Sequence, residues 1–175
     1  MNYVKKNWLR KGVLILLLLS FITLCGFIYL KADFNGNWSI DESQSKMDEQ
    51  SAMISAWTFT ITHSQKEMSI ERAMTDYQGT PYKIIDRIVM DGTETTSQGG
   101  MMGTGKRTAK LTVSEDQNMY TMEFKNSLSI DGNSYQFDEK EVWTLSPDGS
   151  KIIINASVRS EMGDVSATKV YVKSN

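Results

Sequence analysis

From Phe34 onward the apolar residues recur with a period of two, and this rhythm limits the fold more than any other feature of the chain. Trp57, Phe59 and Ile61 alternate with Thr58, Thr60 and Thr62, and Met68 and Ile70 with Ser69 and Glu71. Leu111 and Val113, then Tyr120, Met122 and Phe124, then Trp143 and Leu145 repeat the pattern. Side chains two apart leave the same face of an extended strand, so each run predicts a strand with one buried face. Ile152-Ile153-Ile154 is continuous and β-branched, the pattern of a strand covered on both faces.

Reversals lie between the runs. Asp91-Gly92, Glu115-Asp116-Gln117-Asn118, Asp131-Gly132-Asn133 and Ser146-Pro147-Asp148-Gly149 supply the residue types that tight turns need. Turn signals roughly 8–14 residues apart predict antiparallel hairpins in a barrel or sandwich. About eight to ten strands are expected, near residues 36–41, 56–63, 67–75, 82–90, 105–113, 118–125, 127–130, 134–146, 150–159 and 165–173. Two stretches break the rhythm. Residues 42–55 (ESQSKMDEQSAMIS) are polar and read as a loop or a short helix. Residues 92–105 (GTETTSQGGMMGTG) are glycine-rich and read as a mobile hairpin loop.

The first 32 residues follow different chemistry. Residues 12–30 (GVLILLLLSFITLCGFIYL) carry no charge and follow Lys5, Lys6, Arg10 and Lys11. As a helix this run would be ~28 Å long, enough to cross the hydrocarbon core. The flanking cations place the N-terminus in the cytoplasm and the remainder outside. Three fates are open: an uncleaved transmembrane anchor, lipidation at Cys25, or cleavage as a signal peptide. The apolar run exceeds the ~7–15 residues of a cleavable signal, and Leu30-Lys31-Ala32 is a poor cleavage site. Leu24 stands before Cys25 where a lipoprotein signal has a small residue. The division expected is a signal-anchor segment, 1–32, and a β-domain, 33–175.

That domain has 14 basic and 21 acidic residues, a net charge of −7. Such a surface repels phosphate backbones and excludes nucleic acid as a partner. The one cysteine of the chain, Cys25, lies in the apolar run, so the β-domain has neither disulfide nor thiol chemistry.

Phe34-Asn35-Gly36-Asn37-Trp38 opens the domain, with Asp41 and Ser45 following. This resembles the opening strand of lipocalins, and more closely that of bacterial lipocalin-like domains, which begin F-x-G-x-W-x-x-D/N-x-x-x-S. Asp91-Gly92 midway, Trp143-Thr144-Leu145-Ser146-Pro147-Asp148-Gly149 and the closing Tyr171-Val172-Lys173 also match that family's pattern. The resemblance spans residues 34–173. It implies a β-barrel, often without assigned activity, whose Trp38 packs at the closed end beneath a basic residue of the last strand. Lys169 is the residue expected there.

The chemical motifs are weak. Gly100-Met101-Met102-Gly103-Thr104-Gly105-Lys106 matches G-x-x-x-x-G-K, but Arg107 replaces the Ser or Thr that would hold Mg²⁺, and a strand pattern follows. His63, the only histidine, ends an alternating run and reads as solvated. The eleven methionines lack a repeated copper-binding spacing and read as core filling. Glu139 and Glu141 share one strand face and read as a charged solvent face rather than an acid/base pair. No catalytic residue, metal or cofactor is expected, and the domain does not read as an enzyme.

Trp38, Trp57, Phe59, Tyr120, Met122, Phe124 and Trp143 are the expected core or pocket residues. The expectation is thus an all-β, antiparallel lipocalin-like barrel behind one transmembrane helix. Its function would be binding on the extracytoplasmic side of the membrane, with a small apolar ligand inside. The alternative is a structural or assembly domain of the cell envelope with a packed core.

Overall fold

The computed structural model describes residues 32–53, 55–75, 79–98, 105–130, 132–161 and 163–174. The apolar run, Cys25 and residues 99–104 of the glycine-rich 92–105 segment lie outside these residues. Ten strands follow one another: β1 (Gly36–Ile40), β2 (Thr58–His63), β3 (Glu67–Thr75), β4 (Pro81–Val89), β5 (Thr95–Gln98), β6 (Lys106–Val113), β7 (Met119–Ile130), β8 (Asn133–Leu145), β9 (Lys151–Ser160) and β10 (Gly163–Ser174). A short helix, α1 (Glu49–Met53), stands between β1 and β2. All pairings are antiparallel, and β1 pairs with both β2 and β10. The sheet therefore runs β4-β3-β2-β1-β10-β9-β8-β7-β6-β5 and curls back on itself.

No ladder joins β4 to β5, which leaves one seam in an otherwise closed barrel. Bonds cross it: Val89 N–H donates to Thr95 Oγ1 (3.4 Å), and Arg107 of β6 donates to Asp86 of β4 (3.0 Å).

The period-two reading places the strands well, with three corrections. The two strands expected at 118–125 and 127–130 are one, β7 (Met119–Ile130), because Ser127, Leu128 and Ser129 continue its register with β8. Part of the expected 92–105 loop is strand β5, paired with β6 from Thr95↔Ala109 to Gln98↔Lys106. Ile153 is half-buried, whereas Ile152 and Ile154 are fully buried, so β9 is covered on one face.

The chain closes one end of the barrel before β1 begins. Ala32 N–H donates to Gln117 O (3.3 Å), and Phe34 lies buried against Tyr120 and Trp143, with ring centroids 4.7 and 6.0 Å away. Trp38 is fully buried above this segment and donates from Nε1 to Phe34 O (2.9 Å). Gly36 allows the approach. Its φ is +131°, and a Cβ there would meet Lys173 Cε at 2.9 Å. The cation over Trp38 is Lys173, with Nζ 5.3 Å from the ring centroid, and not Lys169 as expected. Trp38↔Lys173 is a paired position of β1 and β10; Lys169 lies four residues earlier and faces the interior near the other end.

Candidate functional site

The barrel interior has two layers. Toward the closed end it is aromatic and aliphatic. Phe59 stacks on Trp143 (5.4 Å) and on Tyr171 (4.2 Å), with Met68, Ile70, Leu111 and Met122 fully buried around them. Tyr171 donates to Ala56 O (2.8 Å), and burial pushes its hydroxyl pKa up. Tyr120 is pushed up to about 12 by burial and by the charge of Asp33. His63 is half-buried rather than solvated, its ring edge-on to Tyr120 at 5.8 Å.

The second layer is charged. Arg72 of β3 grips Glu141 of β8 through two bonds, NH1 to Oε1 (3.1 Å) and NH2 to Oε2 (2.8 Å), and gives Nε to Asp86 Oδ2 (3.0 Å). Arg107 gives Nε to Asp86 Oδ1 (3.0 Å) and NH1 to Glu139 Oε2 (2.9 Å) and Asn126 Oδ1 (2.8 Å). Trp143 Nε1 adds a bond to Glu141 Oε2 (2.9 Å). The guanidiniums also lie on aromatic rings: Arg107 Cζ is 3.7 Å from the Phe124 centroid, and Arg72 Cζ is 5.1 Å from that of Phe59. These side chains come from β3, β4, β6, β7 and β8, and Asp86 ties both arginines together across the seam.

The charges compensate for their burial. For Glu141 burial opposes ionisation, but the charge and hydrogen bonds of Arg72, with Lys169 and Arg107 beyond, hold its pKa down to about 2. For Arg72 burial again opposes the charge, and Glu141 and Asp86 outweigh it, raising its pKa. A paired buried ion costs far less than an orphaned one.

The sequence-predicted residues divide between these layers and the surface. Trp38, Phe59, Tyr120, Met122, Phe124 and Trp143 are all buried inside. Trp57 is 46% exposed, a correction to its place among them. Its N–H donates to Ala73 O (2.9 Å) while Thr58 is registered opposite the same Ala73. Two residues thus face one, as in a bulge, and the alternation slips before Phe59. Glu139 and Glu141 point inward and not to solvent, with Glu141 fully buried.

The charged layer was missed although its phase was visible. Arg72 lies in step with Met68, Ile70 and Met74; Asp86 with Ile84 and Ile88; Arg107 with Ala109 and Leu111; Glu141 with Trp143. A charge in phase with an apolar face is the signal of an inward charge. Arg107, which spoiled the phosphate-loop match, is one of its centres, and Lys106 is exposed.

Beside the charged layer about 40 Å³ of space remains, walled by Lys169, Arg107, Asn126 and Glu139 and by apolar residues such as Met74 and Phe137. The architecture matches the crystal structure of zebrafish ileal bile acid-binding protein complexed with cholic acid, at a TM-score of 0.50. The fold is a lipocalin-like barrel. The two chains share 12% identity, and the match covers 81% of this chain and 98% of that one. No family model and no curated protein matches the sequence. At such identity the likeness bears on the fold alone.

Proposed function

We propose that the chain is a non-enzymatic lipocalin-like domain of the cell envelope, anchored by residues 12–30, with an interior that stiffens the barrel instead of storing a ligand. It would act through its outer surface as an assembly or interaction domain. The size of the interior space carries this reading. About 40 Å³ remains, whereas ligand pockets take roughly 300–1,000 Å³. The two interior guanidiniums are already engaged, since Arg72 and Arg107 are bound to Asp86, Glu139 and Glu141. Native mass spectrometry of the full-length chain in mild detergent should give the bare chain mass. A stoichiometric co-purified lipid would overturn the reading.

One observation favours a second reading, that of a small-ligand binding module: the fold is shared with a protein solved with cholic acid. A ligand of that size requires the space beside Lys169 to open by several hundred Å³. Saturable cholate binding that changes Trp143 fluorescence would establish it.

The uncharged run with its preceding cations supports the anchor. The full-length protein should stay in the membrane fraction through carbonate extraction, and Cys25→Ala should leave that unchanged. Release of Cys25→Ala, or labelled fatty acid on the wild type, would make it a lipoprotein instead.

A further inference from the structure

Among the described residues, the seam between β4 and β5 is the one junction of the barrel wall without a backbone ladder. Every other junction carries four or more paired residues. Ladder bonds add along a junction, so the wall parts most readily at the seam. Side chains close it. Arg107 Nε donates to Asp86 Oδ1 (3.0 Å), and Ile84 and Ile88 of β4 and Ala109 and Leu111 of β6 are buried on its two sides. The bond from Val89 N–H to Thr95 Oγ1 adjoins the turn at residues 90–94, so a hinge in that turn spares it.

The ion network is divided so that the seam can part without orphaning a charge. Asp86 turns one oxygen to each side, Oδ2 to Arg72 of the laddered neighbour β3 and Oδ1 to Arg107 across the gap. When the second bond breaks, Asp86 keeps Arg72, while Arg107 keeps Asn126 and Glu139 on β7 and β8, which follow β6 in the sheet. Each side remains a carboxylate paired with a guanidinium. Breaking a buried ion pair is costly when a partner is left alone, and here neither is. Arg72 also grips Glu141 of β8 across the interior, which restrains how far the seam widens. The space of about 40 Å³ lies against the seam, since Ile84 of β4 and Arg107 of β6 both wall it.

We propose that the barrel opens along the β4/β5 seam, hinged at residues 90–94 and latched by Asp86 with Arg107, and that its interior is reached by this side route. Opening needs no ligand, so it holds under either reading of the interior.

Thiol labelling of the full-length protein in detergent tests the route. In a Cys25→Ser background, Ala109→Cys sets a buried thiol beside the seam, and Ala156→Cys sets one on β9, which is laddered to both of its neighbours. The two alanines are 4% and 7% exposed, so the closed barrel shields them alike. The probe is a water-soluble aromatic disulfide, which reacts with a thiolate that solvent reaches. Ala109→Cys should label roughly tenfold or more faster than Ala156→Cys, each rate taken relative to that of its unfolded chain. Asp86→Asn should widen that ratio by roughly tenfold again. Equal labelling of the two thiols would mean that only unfolding of the whole barrel admits the reagent, and faster labelling of Ala156→Cys that the way in lies at another wall. Either result would overturn the proposal, and neither requires the Asp86 variant to fold. An Asp86→Asn protein that folds and leaves the ratio unchanged would overturn the latch.

Discussion

Trp38 and Glu141 are both fully buried in the same barrel, yet what holds each in place is different. Around Trp38 the closed end is apolar surface and stacked rings, and the one polar atom of the indole is satisfied by the Phe34 carbonyl. Stability there scales with area withdrawn from water and with packing, and it varies little with pH. Around Glu141 three carboxylates and two guanidiniums were taken out of water, and only their mutual geometry recovers the cost. The apolar layer supplies stability. Against an apolar filling of the same volume the charged layer gains little stability, but it ties strands together where no ladder runs, because Asp86 and Arg107 bridge the seam.

The largest effect should come where the layers meet. Trp143 stacks on Phe59, packs against Phe34 and bonds Glu141. Trp143→Ala should cost ~3–5 kcal/mol or somewhat more, as a cavity and a lost bond add. Trp38→Ala should lie within ~3–5 kcal/mol, measured by denaturant midpoints. If Trp38→Ala proved nearly neutral, the apolar layer would not be the stabilising one.

The charged layer should show strong coupling. Glu141→Leu alone, leaving Arg72 without its bidentate partner, should cost ~3–5 kcal/mol. The Arg72→Met/Glu141→Leu pair should cost less than the two single changes added together, by more than ~1 kcal/mol. Additive costs would show that the two residues act independently.

Acid sharpens the same contrast. Glu141 has a folded pKa of about 2 against an ordinary 4.5. Its contribution is therefore complete above pH ~4.5 and is lost as pH falls from there toward ~2. Its size is on the order of 3 kcal/mol. Glu141→Gln should flatten the stability profile across that window, while Trp38→Phe should keep the wild-type slope. An unchanged slope in Glu141→Gln would mean that other carboxylates set the acid limit.

Smaller effects belong to backbone and surface. Gly36→Ala should cost ~1–3 kcal/mol, from its positive φ and the contact with Lys173. Lys106→Ala and Trp57→Ser, at exposed positions, should stay within about 0.5–1 kcal/mol.

The contrast also explains what could be read before the structure. Alternation located nearly every strand, because a half-buried strand must repeat every second residue whatever its partners. The G-x-W opening pointed to a buried Trp38 through a family resemblance, and the geometry at Gly36 gives that placement its physical reason. Strand β5 escaped because its Thr-Thr-Ser-Gln sequence has no apolar face; it is held by its register with β6. The charged layer escaped because glutamates usually face solvent, and only the phase that Glu139 and Glu141 share with Trp143 marks them as inward.

The amino-acid sequence by itself determined an all-β domain with one buried face per strand, its turns and its negative surface, since these follow from side-chain periodicity, turn chemistry and charge. It also set an apolar N-terminal run long enough to cross a membrane. The tertiary structure alone decided that three carboxylates from two strands would meet two arginines from two others inside the barrel. It likewise decided that Lys173 and not Lys169 would cover Trp38, and that about 40 Å³ would be left beside Lys169. Those outcomes depend on which strands close the barrel and in what register, and a contact such as Arg72 with Glu141, 69 residues apart, leaves no trace in local sequence.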